Sequence, residues 1–505
     1  MRVGTWYVEG DLPQETEGLR VVSAPDAAVM NSLWITLIVE GYLLTLLLVP
    51  FVILQRRRQS VATIAWIMAI VVLPYAGSIL FLLFGINRVE RRTALKQLAR
   101  RELDALLVGR PQNQLLPAEA DHVTGRRLMQ LIDRVSGFHA TYGNSIEIVA
   151  DTNRTLGLIE REISSARHSI HLEYYIWRED QTGQRLRDLL IEKARSGVSV
   201  RFLFDGIGSL FLGRRFLQPM RDAGIQVASA LPGPTLRERW SINLRNHRKI
   251  VVVDGVVGFT GGMNIGDEYL GRNPQLGFWR DTHLRLRGPA AGQLQQVFAE
   301  DWYFATGEAL TQPQLYPQAP EGGGDVAQVV SGGPDGSFDA FQTLFFAALN
   351  EAQQRITLAT SYFIPTPALA TALETAALRG VQVRLLVPGV ADHQWMVTAG
   401  RAWYEQLLQA GVQIFEYQKG AQHSKTLTID GTWSLVGSPN FDFRSLLLNF
   451  EVAVALYGPR AARELEEQFA DDLRNAVPVD LDRFRTRGKW QILCEQTLLL
   501  FAPVL

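Results

Sequence analysis

Two stretches of the chain set the same polar residues at the same intervals. The first is His247-Arg248-Lys249-Ile250-Val251-Val252-Val253-Asp254, followed after a six-residue gap by Gly261-Gly262-Met263-Asn264. The second is His423-Ser424-Lys425-Thr426-Leu427-Thr428-Ile429-Asp430, followed after the same gap by Gly437-Ser438-Pro439-Asn440. In a strand, positions i and i+2 share a face, so each His projects beside its Lys. The apolar run behind them anchors the strand in a core, and small residues before each Asn let the backbone approach a bound group. A neutral imidazole can serve as a nucleophile that divides one hard displacement into two easier ones. Lys249, Lys425, Asn264 and Asn440 are then candidates to hold the bound group beside it. Asp254 and Asp430 close the two motifs and join His247, Lys249, His423 and Lys425 as candidate catalytic residues. Each sits beyond its strand, where holding a loop or pairing a lysine suits it better than direct chemistry.

The elements around the motifs repeat as well. Ala194–Phe204 parallels Ala377–Val387, each a helix that ends at a glycine and gives way to an apolar strand. Aromatic-rich strands precede them, Glu173–Trp177 and Ser361–Pro365, and Ala223–Val227 matches Ala410–Ile414. Alternating strands and helices predict an α/β layer in each half, over 143–310 and 326–480. The stretch 311–325, with Pro313, Pro317, Pro320 and Gly322-Gly323-Gly324, reads as a linker. The repeat also aligns Trp279–Pro289 with Asn449–Pro459, so Asp281 and Glu451 are equivalent, whereas His283 faces Ala453 and reads as structural. His122, His139, His168, His171 and His393 lack motif support and read as ordinary residues.

Composition narrows the class. The chain has 505 residues, a net charge of −1, 47% hydrophobic residues and one cysteine, Cys494. A disulfide within the chain and a site of several thiolates are excluded. No HxxxH pair or EF-hand loop appears, so neither metal nor cofactor is expected. Near-neutral charge argues against a nucleic-acid partner.

Before the repeat, 31–54 is apolar but for Glu40 and 61–86 carries no charge. Each exceeds the roughly 20 residues that cross about 30 Å of hydrocarbon, so a two-helix transmembrane hairpin is expected after an N-terminal tail, 1–30. Basic residues do not settle its orientation. Arg20, Arg88, Arg91, Arg92, Lys96, Arg100 and Arg101 lie on the side of the termini, against Arg56, Arg57 and Arg58 in the turn, but an acidic tail precedes the first helix. Glu40 reads equally as a functional group or as a residue packed against the partner helix. Within 87–142, the leucines and basic residues of Arg91–Leu107 suit a helix on an anionic bilayer surface or a solvated connector. The apolar end of 481–505 suits packing on the body or bilayer contact.

Two copies of HxKxxxxD with GGxN or GSxN resemble the phospholipase D superfamily. The Arg245–Lys249 context, Asn264–Tyr269 and Arg444-Ser445-Leu446 are similar, more narrowly, to bacterial cardiolipin synthases, over almost the whole chain beyond its first thirty residues. The resemblance implies two pseudo-symmetric α/β/α sandwich halves. It implies transfer of a phosphatidyl group between two phosphatidylglycerol molecules, giving cardiolipin and glycerol through a phosphatidyl-histidine, with Lys249, Lys425, Asn264 and Asn440 holding the phosphate oxygens. A multi-pass protein of the bacterial inner membrane, among anionic lipids, is expected. In the superfamily a carboxylate downstream of the Asn fixes the histidine tautomer, which makes Asp281 and Glu451 candidates; a salt bridge with a neighbouring Arg is the alternative. Oligomeric state stays open, a homo-oligomer included. A phospholipase D, a phosphatidylserine synthase, a nuclease and a non-catalytic scaffold are the rival readings.

Overall fold

Residues 27–54, 60–85, 123–230, 244–318 and 323–500 are described by a computed structural model of the chain. It divides into two units, Met1–Ile86 and Asn87–Leu505. In the first, the helix Ala27–Leu54 contains a 24-residue apolar stretch, Asn31–Leu54. At about 1.5 Å per residue that is long enough to cross a bilayer, and among the described residues it is the one such helix. The expected second helix over 61–86 is not continuous. Ser60–Val72 stops at Leu73, Pro74–Leu80 follows, and Phe81–Gly85 is a π-helical turn. Pro74 causes the break: it lacks an N–H and drives the preceding residue out of the helical region, and Leu73 has φ −128° and ψ 74°. Within this unit the segments fold back on one another, burying Leu48, Val52, Ile70 and Phe81. The Tyr75 hydroxyl donates to the Leu37 carbonyl at 2.6 Å. Glu40 is exposed. The tail before residue 27, the arginine turn and the Arg91–Leu107 helix lie outside the described residues.

The second unit is built on two sheets of identical plan. One runs Thr141–Val149, His283–Arg287, Val257–Gly261, Ile250–Val253, Ser169–Tyr174, Ser199–Phe204, Gln226–Ser229. The other runs Asp325–Gly332, Asn449–Tyr457, Trp433–Gly437, Thr426–Ile429, Arg355–Ala359, Gln382–Val390, Gln413–Gln422. In both, the pairings are antiparallel except the last two, which are parallel. Parallel neighbours need a crossover, and Gln181–Arg195 and Pro367–Leu378 supply it at matching places. The glycines that follow these helices, Gly197 and Gly380, have φ of +95° and +90°, a conformation L side chains resist.

The halves do not fold apart. Leu284, Leu286, Ile250 and Val252 of one sheet share a core with Val329, Val452, Val454 and Leu456 of the other, around Leu294, Val297 and Phe298 of the helix Pro289–Thr306. Strand Thr141–Val149 also pairs with Asp325–Gly332 across the halves. Segments outside the two expected domains pack on them as well. Within 311–325, Leu315 and Tyr316 are buried at the short helix Pro313–Leu315. Helix Val123–Ser136, expected in the connector, buries Leu128, Met129 and Ile132 in the second-half core. The helix Lys489–Leu500 packs Leu498 and Leu499 against Met396 and Ala399, and a buried Arg487–Glu495 pair at 3.0 Å secures it.

Candidate active site

Each motif histidine is anchored in the other half. The short strand Arg245–Asn246 pairs in parallel with Asn449–Phe450, and the His247 N–H donates to the Phe450 carbonyl at 2.9 Å. Correspondingly, Gly420–Gln422 pairs in parallel with Phe278–Arg280, and the His423 N–H donates to the Arg280 carbonyl at 2.7 Å. The next residue in each partner strand is the aligned carboxylate. His247 Nδ1 lies 2.9 Å from Glu451 Oε2, and His423 Nδ1 lies 2.7 Å from Asp281 Oδ2. All four side chains are buried. Among the described residues, neither carboxylate makes the arginine salt bridge that was the alternative.

Burial works against charge on every group here, and the partners decide the outcome. It would raise both carboxyls, but the facing imidazoles and nearby lysines outweigh it and hold Asp281 and Glu451 below the usual range. Burial lowers His247 to about 4 despite Glu451, and lowers His423, with Lys425 adding to the effect. Both rings are therefore neutral near pH 7. A carboxylate only accepts, so the ring proton sits on Nδ1 and Nε2 keeps its lone pair.

The lysines converge on this site. Lys249 Nζ donates to the His247 carbonyl at 2.7 Å, and Lys425 Nζ to the His423 carbonyl and the Ser361 hydroxyl, each at 2.5 Å. Burial depresses both, Lys425 to about 8, and Lys425 further depresses Lys249. Burial and mutual repulsion disfavour the charged form of both, so an incoming anion would stabilise it. Asn264 and Asn440 are buried, with side-chain oxygens accepting from the Ile176 N–H at 3.2 Å and the Ser361 hydroxyl at 3.0 Å. Each amide also has an NH2 group with two N–H donors, of which that of Asn440 already hydrogen-bonds the Asp442 carboxylate.

A family model described as the cardiolipin synthase PLD-like domain matches residues 159–302 and 345–473, the two halves just described. The chain belongs to the bacterial cardiolipin synthases. It is 39% identical over 460 residues to the cardiolipin synthase of Geobacillus sp. strain WCH70, covering 90% of this chain and 91% of that protein. Against cardiolipin synthase 2 of Bacillus anthracis it is 38% identical over 464 residues, covering 91% and 90%. A model described as the phospholipase D-nuclease N-terminal region matches 43–85. Among solved structures, phosphatidylserine synthase from Haemophilus influenzae Rd KW20 shares the fold, with a TM-score of 0.57, 14% identity, and coverage of 76% of this chain and 98% of that one. As a cardiolipin synthase family member the protein is a membrane-associated phosphatidyltransferase with phospholipid substrates and products.

Within this family framework the two halves differ in ways the motifs do not announce. Ser438 Oγ donates to Glu451 Oε2 at 2.5 Å. Its counterpart Gly262 lies so near Asp281 that a Cβ there would stand 2.2 Å from Oδ1. Tyr175 sets its ring against His247, centroids 4.8 Å apart, while Trp279 lies beside His423 at 5.1 Å. Sequence reasoning missed Tyr175, Ser361 and Trp279 as site residues; the aromatic strand ends were the available signal. His283 is buried behind Asp281, away from both motif histidines' hydrogen bonds.

Asp254 and Asp430 do not join the site. Asp254 accepts from the backbone N–H groups of Arg167, His168 and Ser169 at 2.7–2.9 Å, and Asp430 from those of Gln353, Gln354 and Arg355 at 2.7–2.8 Å. Both have left-handed backbones, φ 52° and 51°. Each ties a helix-to-strand loop to the far end of the motif strand.

Proposed function

We propose that the enzyme transfers a phosphatidyl group from one phosphatidylglycerol to another. His247 Nε2 attacks the donor phosphorus, and the bond from phosphorus to the glycerol oxygen breaks. His423 delivers a proton to that oxygen, so neutral glycerol leaves and a phosphatidyl-histidine remains. The incoming phosphodiester carries negative charge, which raises the proton affinity of both rings and loads His423 for its acid role. His423 then takes the proton from a hydroxyl of the second phosphatidylglycerol. The new oxygen–phosphorus bond forms as the nitrogen–phosphorus bond breaks, cardiolipin leaves and His247 is restored. Lys249, Lys425, Asn264 and Asn440 stabilise the charge on the non-bridging oxygens.

One observation carries this reading: each imidazole is held through Nδ1 by a carboxylate of the opposite half, which leaves two neutral Nε2 atoms for chemistry. A multi-pass arrangement in the inner membrane fits the apolar Asn31–Leu54 helix and the N-terminal family match, with acceptor lipid concentrated near the enzyme. The test is a product assay with purified enzyme and phosphatidylglycerol alone. Cardiolipin with equimolar glycerol is expected; phosphatidic acid as the main product would refute the lipid acceptor. Acid-quenched enzyme should carry lipid phosphate on His247, and mapping the adduct to His423 would reverse the two roles.

A further inference from the structure

The loop that follows strand Ser199–Phe204 has a rigid base and an apolar tip. At the base, the buried Asp205 carboxylate accepts from the N–H groups of Ile207 at 2.9 Å and Gly208 at 2.7 Å. Its other oxygen accepts from the Asn246 N–H at 2.7 Å, one residue before His247. The Ser209 hydroxyl donates to the Tyr175 carbonyl at 2.9 Å and accepts from the Trp177 N–H at 3.0 Å. Gly208 lies so close to Tyr175 that a Cβ would stand 2.4 Å from its carbonyl oxygen. The loop is thus fastened both to the residue beside His247 and to the tyrosine packed on its ring.

Beyond this base Leu210 and Phe211 are 69% and 74% exposed, with Ile207 at 41%. Leu212 turns back into the core, and Arg214 and Arg215, both exposed, follow at once. Duplication does not explain the tip. Between the matched segments ending at Phe204 and Val387 and those beginning at Ala223 and Ala410, the second half is four residues longer and forms the helix Gln394–Gly400. The residues it exposes there, Asp392, His393 and Gln394, are polar, whereas Met396 and Val397 are buried. Exposing them to water is unfavourable, and the adjoining arginines carry the charge that complements anionic headgroups.

We propose that this tip is a bilayer-docking element: Ile207, Leu210 and Phe211 enter the interfacial region of an anionic phospholipid bilayer while Arg214 and Arg215 engage headgroup phosphates. The occupant is the lipid surface itself, so the reading rests on the phospholipid substrate proposed above. Docking would hold the rim of the His247 site against the headgroup layer, so that a lipid phosphate reaches the imidazole without leaving the bilayer.

The experiment uses the full chain in vesicles of phosphatidylglycerol and phosphatidylcholine. In a Cys494→Ser background, Phe211→Cys is labelled with a polarity-sensitive fluorophore, and Gln394→Cys serves as the second-half control. Acyl-chain spin-labelled lipid should quench the label at 211 at least about twofold more than at 394, and aqueous iodide should quench it less. Equal iodide quenching at both positions, with no acyl-chain quenching at 211, would overturn the proposal. In activity, Phe211→Ser should lose about tenfold in turnover on vesicles yet match the parent on dispersed short-chain phosphatidylglycerol; equal loss on both substrates would also overturn it. If the parent makes no cardiolipin while the label at 211 is still quenched by lipid, the proposed transfer reaction fails and docking stands.

Discussion

Glu451 holds His247 from 204 residues further along the chain, its Oε2 2.9 Å from the ring Nδ1, and Asp281 returns the same contact to His423 from the opposite half. Neither half contains a complete histidine–carboxylate pair. The order is enforced by main-chain pairing, since the residue before each carboxylate receives the N–H of the histidine it will orient.

Replacing either carboxylate by its amide keeps the shape and removes the charge that selects the Nδ1–H tautomer. Glu451→Gln and Asp281→Asn should each lower kcat by about 10³–10⁴-fold with little change in KM. Steady-state kinetics of cardiolipin formation checks this, with melting curves to show that the fold is retained. A loss confined to KM would mean that the carboxylates serve substrate binding instead.

The unequal positions 262 and 438 give a second expectation. Gly262→Ala forces a Cβ against Asp281 and pushes the carboxylate off His423, so kcat should fall by about 10²-fold or more. Ser438→Ala removes one hydrogen bond to Glu451 without a clash, a loss of about 1 kcal/mol or roughly fivefold. Comparable kcat values for the two variants would contradict this geometry.

Acid should destabilise the fold through histidines buried in neutral form. Burial lowers His171 from its ordinary value of 6.5 to about 4. Its stability contribution is full above the unfolded value and declines as pH falls from about 6.5 toward about 4, where the unfolded chain binds the extra proton. By about pH 5 the loss is roughly 2 kcal/mol for this one group. His171→Gln, which can keep the bond to Gln295, should make the fall of Tm between about pH 7 and pH 5 shallower. An unchanged slope would show that His171 is already neutral in the unfolded chain or is reached by solvent.

The closing aspartates of the motifs should matter for folding and not for turnover. Asp254→Ala or Asp430→Ala removes an acceptor shared by three backbone N–H groups and places alanine at positive φ, costing about 1–3 kcal/mol. Denaturant titration should show that loss, while kcat per folded molecule stays within about twofold of the parent. A drop in kcat as deep as that of a motif lysine variant would restore them to the chemistry.

Much of the site was legible because its logic is local. The interval from His247 to Lys249 is a strand period, and the repeat identified Asp281 and Glu451 as equivalent before any distance was known. Equivalence could not say which carboxylate meets which ring, since that depends on strands Arg245–Asn246 and Phe278–Arg280 pairing across the halves. Tyr175 and Ser361 escaped notice because their roles come from packing against His247 and Lys425, and neither has a motif interval. Pro74 stood in plain view, but uninterrupted hydropathy outweighed it. The helix Val123–Ser136 was not singled out within 87–142, and nothing in the spacing of Leu128 and Ile132 names the second half as its partner.

Because Glu451 sits late in the chain, a ribosome must deliver nearly the whole polypeptide before His247 acquires its companion. A growing chain already threaded toward a bilayer therefore lacks the oriented imidazole that the proposed reaction needs. Abortive or proteolysed fragments that end before Glu451 should be equally harmless to the membrane that receives them.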